Sequence, residues 1–157
     1  MYDKELVIEL LSKMIEATQK VLYRSKDINS VDDFLKNDKS LMLLDSLCMQ
    51  FIAIGEAVKK IDKLTDKKLL KNYPNIPWRD IAGMRDILSH HYFDLNADVI
   101  FDVTKEYIPD LQAVLKEILD DVKNSKTDEQ LKLDKVKSIL KNRISDPEEY
   151  QRGLRDI

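Results

Sequence analysis

The chain has 157 residues, 35% charged and 43% hydrophobic, with three glycines and four prolines, which is the profile of a helical globular protein and excludes a disordered one. A net charge of −3 excludes a global positive field that would draw it to nucleic acid, so any such contact rests on a local patch. The single cysteine, Cys48, excludes a disulfide framework and fits a reducing compartment.

Met1-Tyr2-Asp3-Lys4-Glu5 has no basic stretch of the secretory type, so a cytoplasmic protein is expected. Leu6, Val7, Leu10, Leu11, Met14, Ile15, Thr18, Val21 and Leu22 recur at three-four spacing, which predicts a helix from an Asp3 cap to about Ser25. Ser30-Val31-Asp32-Asp33 reads as a capping box opening a short helix. The next helix, about Lys39 to Ile61, is the most hydrophobic. Leu43, Leu44, Leu47, Phe51, Ile54, Val58 and Ile61 mark its inner face, widened by Leu41, Cys48 and Ile52. So broad a stripe predicts burial on two sides, against the bundle and against a partner subunit. Its apolar run, Leu41 to Gly55, carries Asp45 and Gln50 and is too short to span a bilayer, so no membrane contact is expected.

Thr65 to Leu70 predicts a small helical turn, and Asn72-Tyr73-Pro74-Asn75-Ile76-Pro77 a break. Pro77 suits the first position of a helix running to His90. Trp78 is expected to pack against this break. After a turn at Phe93-Asp94-Leu95-Asn96, capped by Asp94 or Asn96, a helix spans about Ala97 to Lys123, kinked near Lys105 by Pro109. Val99, Ile100, Val103, Tyr107, Leu111, Val114, Leu115, Ile118 and Leu119 are placed inward. No strand signal occurs. The fold class is all-α: a four-to-five-helix antiparallel bundle over residues 1–123, with a C-terminal helical extension over 124–157.

The extension begins with a capping box, Thr127-x-x-Gln130, followed by a narrow stripe of Leu133, Val136, Leu140 and Ile144. Between Lys123 and Arg143 stand seven basic residues against three acidic ones, a solvated face or a strip for RNA. The narrow stripe also suits docking to another chain. Asp146-Pro147-Glu148-Glu149 opens a last short helix.

One run stands apart: Arg85-Asp86-Ile87-Leu88-Ser89-His90-His91-Tyr92 gathers a permanent cation, both histidines and a phenol. Five residues of ideal helix turn through about 500°, so Arg85 and His90 lie about 140° apart and share no face. Two arrangements bring them together: a helix that ends before His90, or two copies facing each other across a two-fold axis. In the composite cleft of the second, Arg85 can clamp a phosphate with its planar fork while His90 moves a proton as general base or acid. The same residues can instead cap carbonyls and bond a neighbouring carboxylate at a helix end. No HExxH, cysteine cluster, glycine-rich phosphate loop or Ser-His-Asp spacing accompanies them, so neither metal nor cofactor is expected.

Ile54-Gly55-Glu56-Ala57, Tyr73-Pro74-x-Ile76-Pro77-Trp78, Ile81-Ala82-Gly83-Met84-Arg85-Asp86, His90-x-Tyr92 and Tyr107-Ile108-Pro109-x-Leu111 occur in this order. Together they resemble the HepT-like branch of the HEPN superfamily over about residues 1–123. The resemblance implies a homodimer, open to further assembly, that joins two Arg-x4-His-x-Tyr motifs in one cleft. It also implies a metal-independent endoribonuclease toxin with RNA as substrate and a minimal nucleotidyltransferase as antitoxin. By position, Arg85 would bind the scissile phosphate and His90 would be the acid/base for 2′-hydroxyl attack. Asp86, where relatives often carry asparagine, would orient that pair, and Tyr92 would accept an adenylyl group from the antitoxin. The alternative is a non-catalytic regulatory subunit of the nucleotidyltransferase, and a purely structural helical oligomer is a third reading.

Overall fold

The structure, a computed structural model, describes residues 2–90, 96–126, 128–143 and 155. All of its regular elements are helical, and the described residues within 2–123 and within 124–157 fall into separate compact units.

In the first unit, α1 (Lys4–Arg24) starts where Asp3 accepts a hydrogen bond from the Leu6 N–H at 3.0 Å and stops at Ser25, whose hydroxyl returns to the Val21 carbonyl. Both ends of the helix are therefore set by short polar side chains that satisfy terminal backbone groups. The short α2 (Val31–Leu35) opens with the expected box, Asp33 accepting from the N–H groups of Asn29 and Ser30. Its Phe34 is fully buried and meets Phe101 edge-to-face, with ring centroids 6.4 Å apart.

Helix α3 (Asp38–Leu64) is the axis of the bundle, capped by the Asn37 side chain on the Ser40 N–H. Leu44, Leu47, Phe51, Ile54, Val58 and Ile61 are buried along one side. At 27 residues it outruns the expected apolar stretch and is, among the described residues, the one helix long and apolar enough to cross a membrane. Its inner face is spent on α1 and α4, as in a core helix. Leu41 and Met42 near its start, and Met49 on its outer side, are exposed, so the described residues do not supply the second buried side expected for this helix.

The turn expected over Thr65–Leu70 lies later, as a single 3-10 turn at Leu70–Asn72. Thr65 instead closes α3, and Asp66 and Lys67 take left-handed backbone (φ 51° and 57°), the Lys67 N–H reaching the Asp62 carbonyl. That is a helix C-terminal cap made without glycine. Helix α4 (Trp78–His90) begins one residue after Pro77, whose carbonyl accepts from the Ile81 N–H. The buried Trp78 donates its indole N–H to the Tyr73 carbonyl, and the Tyr73 hydroxyl bonds Asp121, so the break before α4 is tied down on both sides.

The predicted kink is a π-helical turn. After α5 (Ala97–Asp102), capped by Asn96, the chain widens at Val103–Tyr107 and continues as α6 (Ile108–Asn124). Pro109 offers no N–H to the Lys105 carbonyl, and the i→i−5 pairing of Ile108 with Val103 absorbs the defect. The extra residue also rotates the register. Val99 and Tyr107, placed inward from the sequence, are instead half exposed (50% and 55%) and line a cleft of about 420 Å³ against Ile81, Met84 and Ile87.

In the second unit, α7 (Asp128–Arg143) carries an ion pair from Lys126 to Asp134 and exposes Leu131, Leu133, Val136 and Ile139. Thr127, Ile144 and the Asp146 helix lie outside the described residues.

Candidate active site

The site is built where α3 and α4 cross. Gly55 makes the crossing close: a Cβ there would sit 2.9 Å from both the Arg85 Cβ and the Ile81 carbonyl oxygen. On α4, Trp78, Ile81, Arg85 and Leu88 recur at helical spacing on the side that meets α3. Arg85 is therefore a half-buried member of the packing face, its side chain 35% exposed.

Four charges converge on that crossing. The Glu56 carboxylate is in ion-pair contact with the buried Arg85 Nε, without the alignment of a directed hydrogen bond. Arg85 Nη1 donates to Asp86 Oδ1 at 2.8 Å, and Lys59 Nζ donates to both Asp86 oxygens at 3.1 Å. The Arg85 hydrogen bond first, and the Lys59 hydrogen bond second, hold the Asp86 carboxyl below the usual carboxylate range. Asp86, reinforced by the charge of Glu56, raises the Arg85 guanidinium further above its ordinary value. Arg85 is thus a permanent cation and Asp86 a permanent anion at any physiological pH, and neither can carry a proton in a reaction cycle.

His90 lies in the last turn of α4 and is exposed, with no hydrogen-bond partner among the described residues. It falls on the outer side of the helix with Arg79, Gly83 and Asp86, at eleven-, seven- and four-residue spacings. The structure therefore brings Arg85 and Asp86 together, but joins them to Glu56 and Lys59 rather than to His90 of the same chain. Because α4 includes His90, a helix that ends before it does not occur. Tyr92, like His91, lies outside the described residues. Among the described residues, no three His, Cys, Asp or Glu side chains gather as a metal site requires.

Glu56 and Lys59 are the site residues that spacing alone did not reveal, since they are 29 and 27 residues from their partners. The signal was present in Gly55-Glu56, a glycine inside an otherwise strong helix beside an acid on its half-exposed side.

A family model described as ribonuclease HepT-like matches residues 10–118. The chain belongs to the ribonuclease HepT-like family. It is similar, at 34% identity over 109 residues, to a protein of Caldanaerobacter subterraneus named "Putative RNase", the match covering 69% of this chain and 90% of that one. A "Putative RNase" of Methanocaldococcus jannaschii is 29% identical over 122 residues, 78% of this chain and 86% of its own. The "Probable ribonuclease HepT" of Thermococcus cleftensis is 33% identical over 110 residues, 70% and 93% of the two chains. No solved structure matches the chain.

Proposed function

We propose that the protein is a metal-independent endoribonuclease and the toxin of a toxin–antitoxin pair, working as a homodimer whose two motifs share one cleft. Arg85 clamps the scissile phosphate and His90 moves the proton. The RNA 2′-hydroxyl gives its proton to imidazole as its oxygen bonds phosphorus; the bond from phosphorus to the 5′-oxygen breaks, and that oxygen takes a proton back. The products are a 2′,3′-cyclic phosphate and a 5′-hydroxyl, with no oxidant or metal in the balance.

One observation carries the composite site: α4 is continuous from Trp78 through His90. Clamp and proton carrier then stand about 140° apart on one helix, and an isologous dimer is the arrangement that sets each clamp beside the partner's histidine. Asp86 orients Arg85, its carboxylate held in turn by Lys59. Tyr92 is the acceptor when a minimal nucleotidyltransferase antitoxin silences the toxin by adenylylation. Residues 1–123 form the catalytic domain, and the extension over 124–157 contacts antitoxin or RNA.

Cleavage of RNA by purified protein in the presence of chelator tests the activity, with Arg85→Ala and His90→Ala each expected to abolish it. Mixing the two inactive variants tests the shared cleft: each mixed dimer keeps one site with both residues, so about a quarter of wild-type activity returns. Mixtures that stay inactive would sink the composite site.

A second reading is favoured by the engagement of Arg85 with two carboxylates in the free chain. In it the domain is a non-catalytic regulatory subunit of the nucleotidyltransferase. It predicts a tight complex and Tyr92 modification with no RNA turnover.

A further inference from the structure

We propose that Glu56 is a positioning residue for this site: it sets the plane of the Arg85 guanidinium so that the remaining donors meet phosphate. The inference rests on the ribonuclease reading for what the donors meet, and on the crossing of α3 and α4 for the restraint itself.

A guanidinium is a rigid fork of five N–H donors, so holding one edge fixes the direction of the others. The Glu56 carboxylate sits in ion-pair contact beside the buried Nε, without a directed hydrogen bond, and Nη1 donates to Asp86. Nη2 has no partner among the described residues, and with the second Nη1 donor it offers the paired hydrogen bonds that a phosphate accepts. The two acids are not equivalent. Asp86 is adjacent to Arg85 in sequence, so its bond moves with the helix turn that carries both. Glu56 comes from another helix, and Gly55 beside it brings the α4 backbone into van der Waals contact, so its carboxylate is anchored to a second rigid element. Lys59, one turn on from Glu56, closes the ring by holding Asp86 through both oxygens. The arrangement fixes a long, otherwise mobile side chain before substrate arrives, and pre-set geometry acts on the chemical step more than on substrate capture.

The opposite role would give the opposite kinetics. If Glu56 merely competes with phosphate for Arg85, its removal tightens RNA binding and leaves turnover unchanged or raised.

The experiment compares wild type with Glu56→Ala, Glu56→Gln and Glu56→Asp on a short RNA, beside Arg85→Ala. Positioning predicts that Glu56→Ala lowers kcat by about 10- to 100-fold while KM changes by less than about threefold, with Glu56→Asp recovering more than Glu56→Gln. A second readout needs no activity: the Arg85 Nε–Hε signal in nitrogen-15 NMR, assigned by its loss in Arg85→Lys. It is expected to be sharp and protected from exchange in wild type, and averaged with solvent in Glu56→Ala at unchanged helix content by circular dichroism. Absence of RNA cleavage by wild type would remove the ribonuclease reading and leave the restraint to be judged by NMR. An unaltered Nε–Hε signal in Glu56→Ala, or unchanged kcat with tighter RNA binding, would overturn the inference.

Discussion

Gly55 and Arg85 meet backbone to backbone: a side-chain carbon at position 55 would lie 2.9 Å from the Arg85 Cβ. Both atoms belong to helix frames rather than to flexible side-chain ends, so neither yields without moving a helix. The contact that brings α3 and α4 together is also the contact that brings Glu56 to Arg85.

Gly55→Ala is therefore expected to destabilise the protein even though alanine is the better helix former. Overpacking costs about 1–3 kcal/mol, against a helix-propensity gain of about 1 kcal/mol. The expected net is a loss of up to about 2 kcal/mol in urea unfolding, accompanied by loss of the Glu56–Arg85 ion pair. A variant as stable as wild type would show that the helices do not cross as closely as described.

The same substitution at Gly83 should have the opposite sign. Among the described residues nothing lies within 4 Å of a Cβ built there, and the position is inside α4. Gly83→Ala then gains roughly 0.5–1 kcal/mol of stability by removing backbone freedom from the unfolded chain. In the proposed dimer, a partner close to this side of α4 would make the gain in fold stability come with weaker association, which analytical ultracentrifugation reads directly.

Much of this architecture is legible in the sequence because it is local. Asp3, Ser30 and Asn96 cap helices within three residues of themselves, and the three-four spacing of α1 requires nothing from elsewhere in the chain. Pro109 announces a defect, but whether it becomes a bend or a π-turn depends on what α6 packs against, so the exposure of Val99 and Tyr107 was not readable. Asp66 and Lys67 hide a helix end because neither is glycine. In the site, Arg85 and Asp86 announce themselves as neighbours, whereas Glu56 and Lys59 become partners only when two helices cross.

Cys48 provides a test of the core by pH. Burial, and next the charge of Asp45, push its thiol up to about 11 from an ordinary 9.0. A thiol raised on folding contributes stability that is complete below its unfolded value and is lost as pH climbs toward the folded one. Unfolding midpoints in urea should therefore hold steady to about pH 9 and fall between there and 11. At pH 8 an aromatic disulfide reagent should label Cys48 slowly in native protein and rapidly in urea; equal rates would place the thiol outside the core.

Asp86 titrates in the opposite direction. Its carboxyl is held down by Arg85 and then by Lys59, so its contribution is complete above the ordinary carboxylate range and is lost as pH falls through the lowered value. Carbon-13 NMR of the Asp86 carboxyl should show the titration midpoint moving up in Lys59→Ala and further up in Arg85→Ala. An unmoved midpoint in Arg85→Ala would mean that the pair does not persist in solution.

The two sides of α4 have different obligations. Trp78, Ile81, Arg85 and Leu88 answer to α3 and to the rest of the same chain, whereas Arg79, Gly83 and His90 recur on the side turned away from it, with Asp86 at the border, held by Lys59 of α3. Natural variation and mutation along these thirteen residues should sort with the helical repeat into two interleaved classes, one read as lost abundance and the other as lost RNA cleavage at normal abundance. Arg85 packs against α3 and also holds unpaired guanidinium donors, so its loss should lower both abundance and any RNA cleavage.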